Sequence, residues 1–529
     1  MQEAISKIGH GPSEFIVVSP FRLKSVKLPE INEVVPVQQK TSRTEKVFAL
    51  SLGGALSTVA GIAFSMIAAR WLSKHDYATM RQTFLAYEFA EPLLMLGLPT
   101  AIYYFFPRER GVKRGLIVDN MSLLIGAGLI FSLFIALGGN HLLSMRFNNP
   151  DLQNTLQWLI PYPLVIMPIA GFAAIMVCAD RTKTLAVYNV LSSITLAIAG
   201  IYAILWTQSY AAPILVRIVV PALFLPLAVI LMFRAVPGPF RLPKWISMQE
   251  MVRYSVPVGL ASMLGTITLQ MQSIIVAALC TPEEFAVYIN GAMEIPVIGI
   301  VTGSITTVVF AEMAEMCSRG DGASALKLFH KASIKSACIL FPTMCFLLAT
   351  AEPFILFLYS EQYHASVIPF IIYLFVLPMR IVVYGAALMA LGMTRVILIR
   401  SIFDFLINAI LCFVLVKAIG YIGAAIAIVL TLNFWTTPFN LYKISQGFGV
   451  PWSASLPLRE LLKMLSICVL CMPLAALGAY SFPSSSMGRL SLAALLYWPF
   501  AAYLLYRGKF MILPSRFEAL IPCALRVPH

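Results

Sequence analysis

Charge is what this 529-residue chain has least of. Lys, Arg, Asp and Glu together make up 12% of it, and the acids are the scarcer kind, 24 against 38 basic residues. Histidine occurs six times, at positions 10, 75, 141, 330, 364 and 529, always in a tail or at the end of an apolar stretch. A histidine proton relay inside those stretches is therefore disfavoured. The nine cysteines are scattered, and Cys468 and Cys471 form a lone CxxC on an apolar stretch with no second pair. That pattern fits packing and lacks the four ligands of a zinc site. No GxxxxGK[ST] and no HExxH occur, which removes a nucleotide-binding phosphate loop and the zinc-protease motif.

What the chain has instead is apolar length. Hydrophobic residues make up 59% and the mean hydropathy is +0.84. A helix crosses the hydrocarbon of a bilayer with about 20 residues. Fourteen apolar stretches of that order occur, at 47–69, 83–106, 116–137, 156–178, 184–206, 209–234, 254–279, 289–311, 332–351, 366–391, 394–418, 420–442, 464–480 and 489–506. They predict an all-α polytopic membrane protein. The last is short and holds Pro499, so twelve spans with a re-entrant or interfacial tail is the alternative.

Thirty of the 38 basic residues fall in the two tails and in alternate connections; six fall in the other connections, and Arg217 and Arg380 lie within stretches. This is the positive-inside pattern. It predicts cytoplasmic N- and C-termini and an even number of spans. The net charge of +14 then reflects topology and contact with anionic lipid, not nucleic acid. Residues 1–46, polar and proline-containing, read as a flexible cytoplasmic tail. The longest connection on the opposite side, 138–155, is too short for a catalytic domain there.

The chain also repeats itself at a spacing of roughly 206–212 residues. Asp76-Tyr77-Ala78 falls on Glu284-Phe285-Ala286, and Glu88, followed by Pro92, falls on Glu294, followed by Pro296. Six helices per copy is an even number, so the copies share orientation and are related by an axis along the membrane normal. The organisation expected is an N-lobe at 47–234, a linker at 235–253 with an amphipathic stretch from Lys244 to Arg253, a C-lobe at 254–445, and two appended helices with a cytoplasmic tail at 446–529.

Function is sought in the polar residues inside the spans. Arg217 and Arg380 are the costliest, and guanidinium suits phosphate oxygens, so they point to an anionic substrate; ion pairing with a neighbouring acid is the plainer alternative. Arg400, Asp404 and Asn408 recur at i, i+4 and i+8 on one helix face, which either lines a cavity or joins helices. Gln270 and Gln272 are two apart and cannot share a face, so one points inward. Arg70 stands at the end of the first span, as an interfacial anchor or at the cavity mouth. Glu88, Glu91 and Glu294 are read as gating or coupling acids: they could take a coupling H+ or Na+, balance the arginines, or accept sugar hydroxyls. No cofactor and no metal site is expected.

Residues 97–108 (GLPTAIYYFFPR), 291–296 (GAMEIP), 369–395 (PFIIYLFVLPMRIVVYGAALMALGMTR) and 420–425 (GYIGAA) resemble the polysaccharide/O-antigen flippases of the multidrug/oligosaccharidyl-lipid/polysaccharide exporter (MOP) superfamily. The resemblance covers about 47–445. It implies two six-helix lobes around a cationic cavity with alternating access, moving a polyprenyl-pyrophosphate-linked oligosaccharide across the bacterial inner membrane, with membrane lipids and other polysaccharide-assembly proteins as further partners. Arg380 and Glu294 are its best-matched positions. Ala78 departs from a frequent Gly, and Gln272 from a frequent acid, which puts a coupling role there in doubt. The rivals are a lipid II flippase, a cation-coupled drug antiporter of the same superfamily and, of another class, a membrane-embedded glycan polymerase or ligase.

Overall fold

The computed structural model describes residues 43–109, 111–293, 295–481 and 485–510. The expected tail before Arg43, most of the C-terminal tail and Glu294 lie outside the described residues. The described residues are helical throughout, with no strand among them. The elements used below are α1 (Arg43–Trp71), α2 (Lys74–Met95), α3 (Leu98–Phe105), α4 (Lys113–Phe134), α5 (Thr182–Thr207), α6 (Ala211–Ala235), α7 (Trp245–Leu279), α8 (Pro282–Gly291), α9 (Pro296–Ser318), α10 (Gly322–Ala349), α11 (Thr394–Ile419), α12 (Ile422–Leu430), α13 (Leu458–Tyr480) and α14 (Ser486–Arg507).

Ten helical segments among the described residues are long and apolar enough to cross a membrane. The last of them is Ser486–Arg507, which stays helical through Pro499. The other four expected spans are helical too. Stretch 83–106 is split between α2 and α3, 289–311 between α8 and α9, and 366–391 among three short helices, while 254–279 lies within the unbroken α7. Three of the fourteen expected stretches are thus broken.

The α2–α3 break has a local cause. Pro92 inside α2 removes a backbone donor. The chain then takes two left-handed residues, Leu96 (φ 40°) and Gly97 (φ 76°), before Pro99 restarts a helix in its first turn. The α-carbon of Gly97 lies against Gly259 of α7; a Cβ on Gly259 would overlap the Leu96 carbonyl. Backbone touches backbone here, which no other residue type allows.

The internal repeat is visible in the helix starts. Ser73 caps α2, its hydroxyl accepting from the Asp76 amide at 3.0 Å. Thr281 caps α8 in the same way, accepting from the Glu284 amide at 3.2 Å, while the Glu284 carboxylate accepts from the Thr281 amide at 2.9 Å. The aligned Asp76 and Glu284 are therefore the third residues of equivalent helices, and α2 and α8 pack against each other.

The linker is tied down. Asp119, fully buried on α4, accepts from the Arg241 guanidinium and, at 2.8 Å, from the backbone amide of Lys244. Arg114 donates to the carbonyls of Phe233 (2.8 Å) and Val236 (2.7 Å). Gly115 leaves the room that Arg241 fills. α7 then starts at Trp245 and runs 35 residues without interruption, so Lys244–Arg253 is the beginning of that rod, not a separate surface helix. At the far end of the chain α13 packs on α14 and on α10, with Cys468 and Cys471 both buried, consistent with packing.

Candidate functional site: a cationic chamber between the lobes

One face of α2 carries Tyr77, Arg81, Phe84 and Glu88, at i, i+4, i+7 and i+11. Its first two members, Tyr77 and Arg81, line a cavity of about 470 Å3. Ser57, Thr58, Gly61 and Ser65 of α1 line it, with Ser193 and Gly200 of α5, Pro213 and Arg217 of α6, Tyr77 and Arg81 of α2, and Asn290 of α8. Tyr359, from a short helix of the C-lobe, completes the wall. Two guanidinium groups thus share the cavity with hydroxyl and small side chains and with an apolar remainder that includes Ile62, Phe64, Leu196 and Ile289.

Arg217 is held from α2. Its guanidinium lies 4.0 Å from the centre of the Phe84 ring and donates to Glu88 Oε1 at 3.0 Å. Both members of the pair keep about a third of their side-chain surface exposed. Glu88 faces a second cavity of about 430 Å3, which it lines together with Glu91, Gly97, Thr100, Thr266 and Gln270. The ion pair is therefore a partition, with its cation on one chamber and its anion on the other.

Asn290 adds a donor. It is 2% exposed, its Oδ1 accepts from the Tyr77 hydroxyl at 2.8 Å, and its Nδ2 has no partner among the described residues. A buried amide left so is a vacant hydrogen-bonding position on the chamber wall.

The end of the bundle at the α1–α2 turn is bridged by polar contacts between the lobes. His75 stands between Asp151 (Nε2 to Oδ2, 3.0 Å) and Glu283 (Nδ1 to Oε1, 3.1 Å). Burial works against protonating His75, but the hydrogen bonds to Asp151 and then Glu283 outweigh it and hold its pKa above the ordinary histidine value. Burial alone would raise Glu283; its own backbone amide and His75 bring it below the usual carboxylate range. Arg70 donates to the carbonyls of Leu358 (3.3 Å) and Phe357, and Gln362 donates to the carbonyl of Ala69.

The structure distributes the residues singled out from sequence as follows. Arg217 lines the large chamber and Glu88 is its partner. Glu91 and Gln270 line the second chamber. Gln272 is buried and accepts from the Tyr288 hydroxyl at 2.8 Å, so the two glutamines do part company. Arg70 belongs to the inter-lobe bridge. Arg380 does not line the large chamber; it lines a pocket of about 20 Å3 with Tyr373 and with Met293, a residue the two spaces share.

The expected cavity face of Arg400, Asp404 and Asn408 is corrected: it joins helices. Arg400 pairs with Asp404 at 3.3 Å and donates to Asn440 at 3.3 Å; Asp404 accepts from Thr436 at 2.8 Å, and Asn408 reaches Thr431 at 3.5 Å. α12 and the helical run after it satisfy that face. Arg81 was missed, because charge counting assigns it to a connection; its i+4 and i+7 spacing from Tyr77 and to Glu88 was the available signal.

Comparison with known proteins decides the family. A family model described as polysaccharide biosynthesis protein matches residues 67–368, more than half of the chain. The chain belongs to this family. Its fold is similar to those of solved flippase and transporter structures, in line with the resemblance. The lipid II flippase MurJ in an inward-closed conformation superposes with a TM-score of 0.69 at 16% identity, covering 88% of this chain and 100% of that one. An inward-facing multidrug resistance MATE transporter of the MOP superfamily gives 0.55 at 15%, covering 76% and 98%. A MOP-superfamily transporter from Pyrococcus furiosus gives 0.55 at 14%, covering 76% and 96%. No curated protein matches in sequence. The protein is a multi-pass membrane protein with a transporter fold and a place in polysaccharide biosynthesis.

Proposed function

We propose that the protein flips a polyprenyl-pyrophosphate-linked oligosaccharide across the inner membrane by alternating access of the large chamber, with both termini in the cytoplasm. The observation that carries this reading is the chamber itself, where Arg81 and Arg217 face a space whose largely apolar wall is set with hydroxyl side chains and one free amide. A cation inside a membrane protein costs several kcal/mol unless it meets water or an anion. Guanidinium is suited to phosphate oxygens. Ser57, Thr58, Ser65, Ser193 and Asn290 are suited to sugar hydroxyls. The volume lies in the range of small-ligand sites, about 300–1,000 Å3, which accommodates a headgroup while the lipid stays in the bilayer. The reading makes the protein a carrier with no covalent chemistry of its own.

Arg217→Ala is the test. It is expected to abolish export of the surface polysaccharide, with the lipid-linked precursor accumulating, while the protein still inserts. Arg217→Lys should keep part of the activity, since charge survives and the bidentate fork does not. Normal export by Arg217→Ala would remove the reading.

A further inference from the structure

The Arg217–Glu88 pair divides two chambers, and this division assigns Glu88 a task. We propose that Glu88 is the carrier's built-in competitor for its cargo: the anionic group binds by exchange, displacing the Glu88 carboxylate from Arg217. The inference rests on the large chamber being the binding chamber.

The geometry supplies both halves of an exchange. Arg217 is fixed from below by the Phe84 ring at 4.0 Å, so its guanidinium stays on the chamber wall whichever anion it meets. Glu88 is not enclosed. It keeps about a third of its side-chain surface, and that surface opens into the 430 Å3 cavity behind it. A displaced carboxylate therefore has open space to turn into, which it shares with Glu91. An isolated arginine at this depth would be costly in the empty carrier, and Glu88 removes that cost until cargo arrives.

Exchange also sets a threshold of charge. A ligand must outbid a carboxylate that is already covalently attached and therefore present at high effective concentration. A monoanion offers Arg217 no more than Glu88 does. A pyrophosphate offers two charges, and the chamber that holds Arg217 presents a second guanidinium, Arg81, to meet them. Glu88 thus sets specificity: it rejects singly charged lipids, which surround the protein in the membrane, and admits doubly charged ones. It also helps release, by recapturing Arg217 when the cargo leaves.

The experiment uses the full chain in lipid nanodiscs with two diester probes, a pyrophosphate carrying a farnesyl and a methyl group (two charges) and a monophosphate carrying the same two groups (one charge). Wild type should bind the pyrophosphate in clear preference. Glu88→Gln should bind both about tenfold more tightly, with the larger gain for the monophosphate, so that the preference shrinks, while its transport turnover falls. Unchanged or weaker binding by Glu88→Gln overturns the exchange. Should Glu88→Gln fail to insert, Glu88→Asp carries the same test: a carboxylate one methylene shorter holds Arg217 less well, and tightening of about two- to fivefold is expected. No tightening there overturns the proposal equally. Arg217→Gln separates this failure from that of the chamber. If it weakens pyrophosphate binding while the Glu88 variants change nothing, the chamber stands and the exchange falls; if it binds like wild type, both fall.

Discussion

Two of the contacts between the lobes are of opposite kinds. At the α1–α2 turn they are polar: His75 between two carboxylates, Arg70 and Gln362 on backbone carbonyls. At the α2–α3 break they are bare backbone, Gly97 on Gly259. Polar contacts at a wet surface exchange with water at little net cost and respond to pH and salt. A glycine crossing responds to neither and tolerates no added atom. One lobe contact is thus adjustable by solution conditions, and the other is fixed by shape.

The strongest way to break this comparison is Gly259→Val. Its side chain would overlap the Leu96 carbonyl, and overpacking of this kind costs about 1–3 kcal/mol. Transport is expected to fall by about tenfold or more, with insertion retained and with no rescue by pH or salt. Wild-type transport would show that the lobes never need this approach.

The next effect is smaller and depends on pH. The His75 pKa is raised by the bridge, so the bridge's contribution is fully present below the pKa of the open state and is lost as pH rises through the higher, bridged value. Acid therefore closes this contact and mild alkali loosens it. Spin labels at Gln153 and Glu361, both exposed positions near the bridge, should show a longer-distance population growing as pH rises above the ordinary histidine range. His75→Gln should flatten that dependence. A dependence that survives His75→Gln would locate the titrating group elsewhere.

Arg70→Ala should give the smallest effect. It removes donors to two carbonyls at the end of a short helix, where water is a ready substitute, and the open population should grow by about twofold. Arg70→Lys should recover part of this. A tenfold opening would mean that Arg70, and not His75, governs the bridge.

The sequence made some of this legible and not the rest, for physical reasons. Hydropathy finds Arg217 because a cation among apolar residues is conspicuous on one chain segment. It cannot find Glu88 as the partner, because the pairing joins α6 to α2 across 129 positions. Arg81 was hidden by the same charge counting that exposed the topology, since a cation near a span end reads as part of the connection. Arg400, Asp404 and Asn408 show what spacing alone leaves open. Their i, i+4 spacing states that the face is not lipid-facing, and says nothing of whether Thr431, Thr436 and Asn440 or a cavity stands opposite. The α2–α3 break was written plainly in Pro92, Gly97 and Pro99, while the crossing partner Gly259 was not.

The buried anchor of the linker has a mechanical consequence. Asp119 grips Arg241 and the Lys244 amide one residue before α7 begins. The second lobe is therefore joined to the first by a short, clamped hinge at Pro243–Trp245, with little slack. α7 is a rod of 35 residues, about 52 Å at 1.5 Å per residue. Pivoted at that end, a tilt of roughly 10° would sweep its far end, where α8 and Glu283 begin, by roughly 9 Å over such a rod. The clamp makes α7 a lever arm: small rotations beside Asp119 become the difference between a joined and a parted pair of lobes at the opposite membrane face.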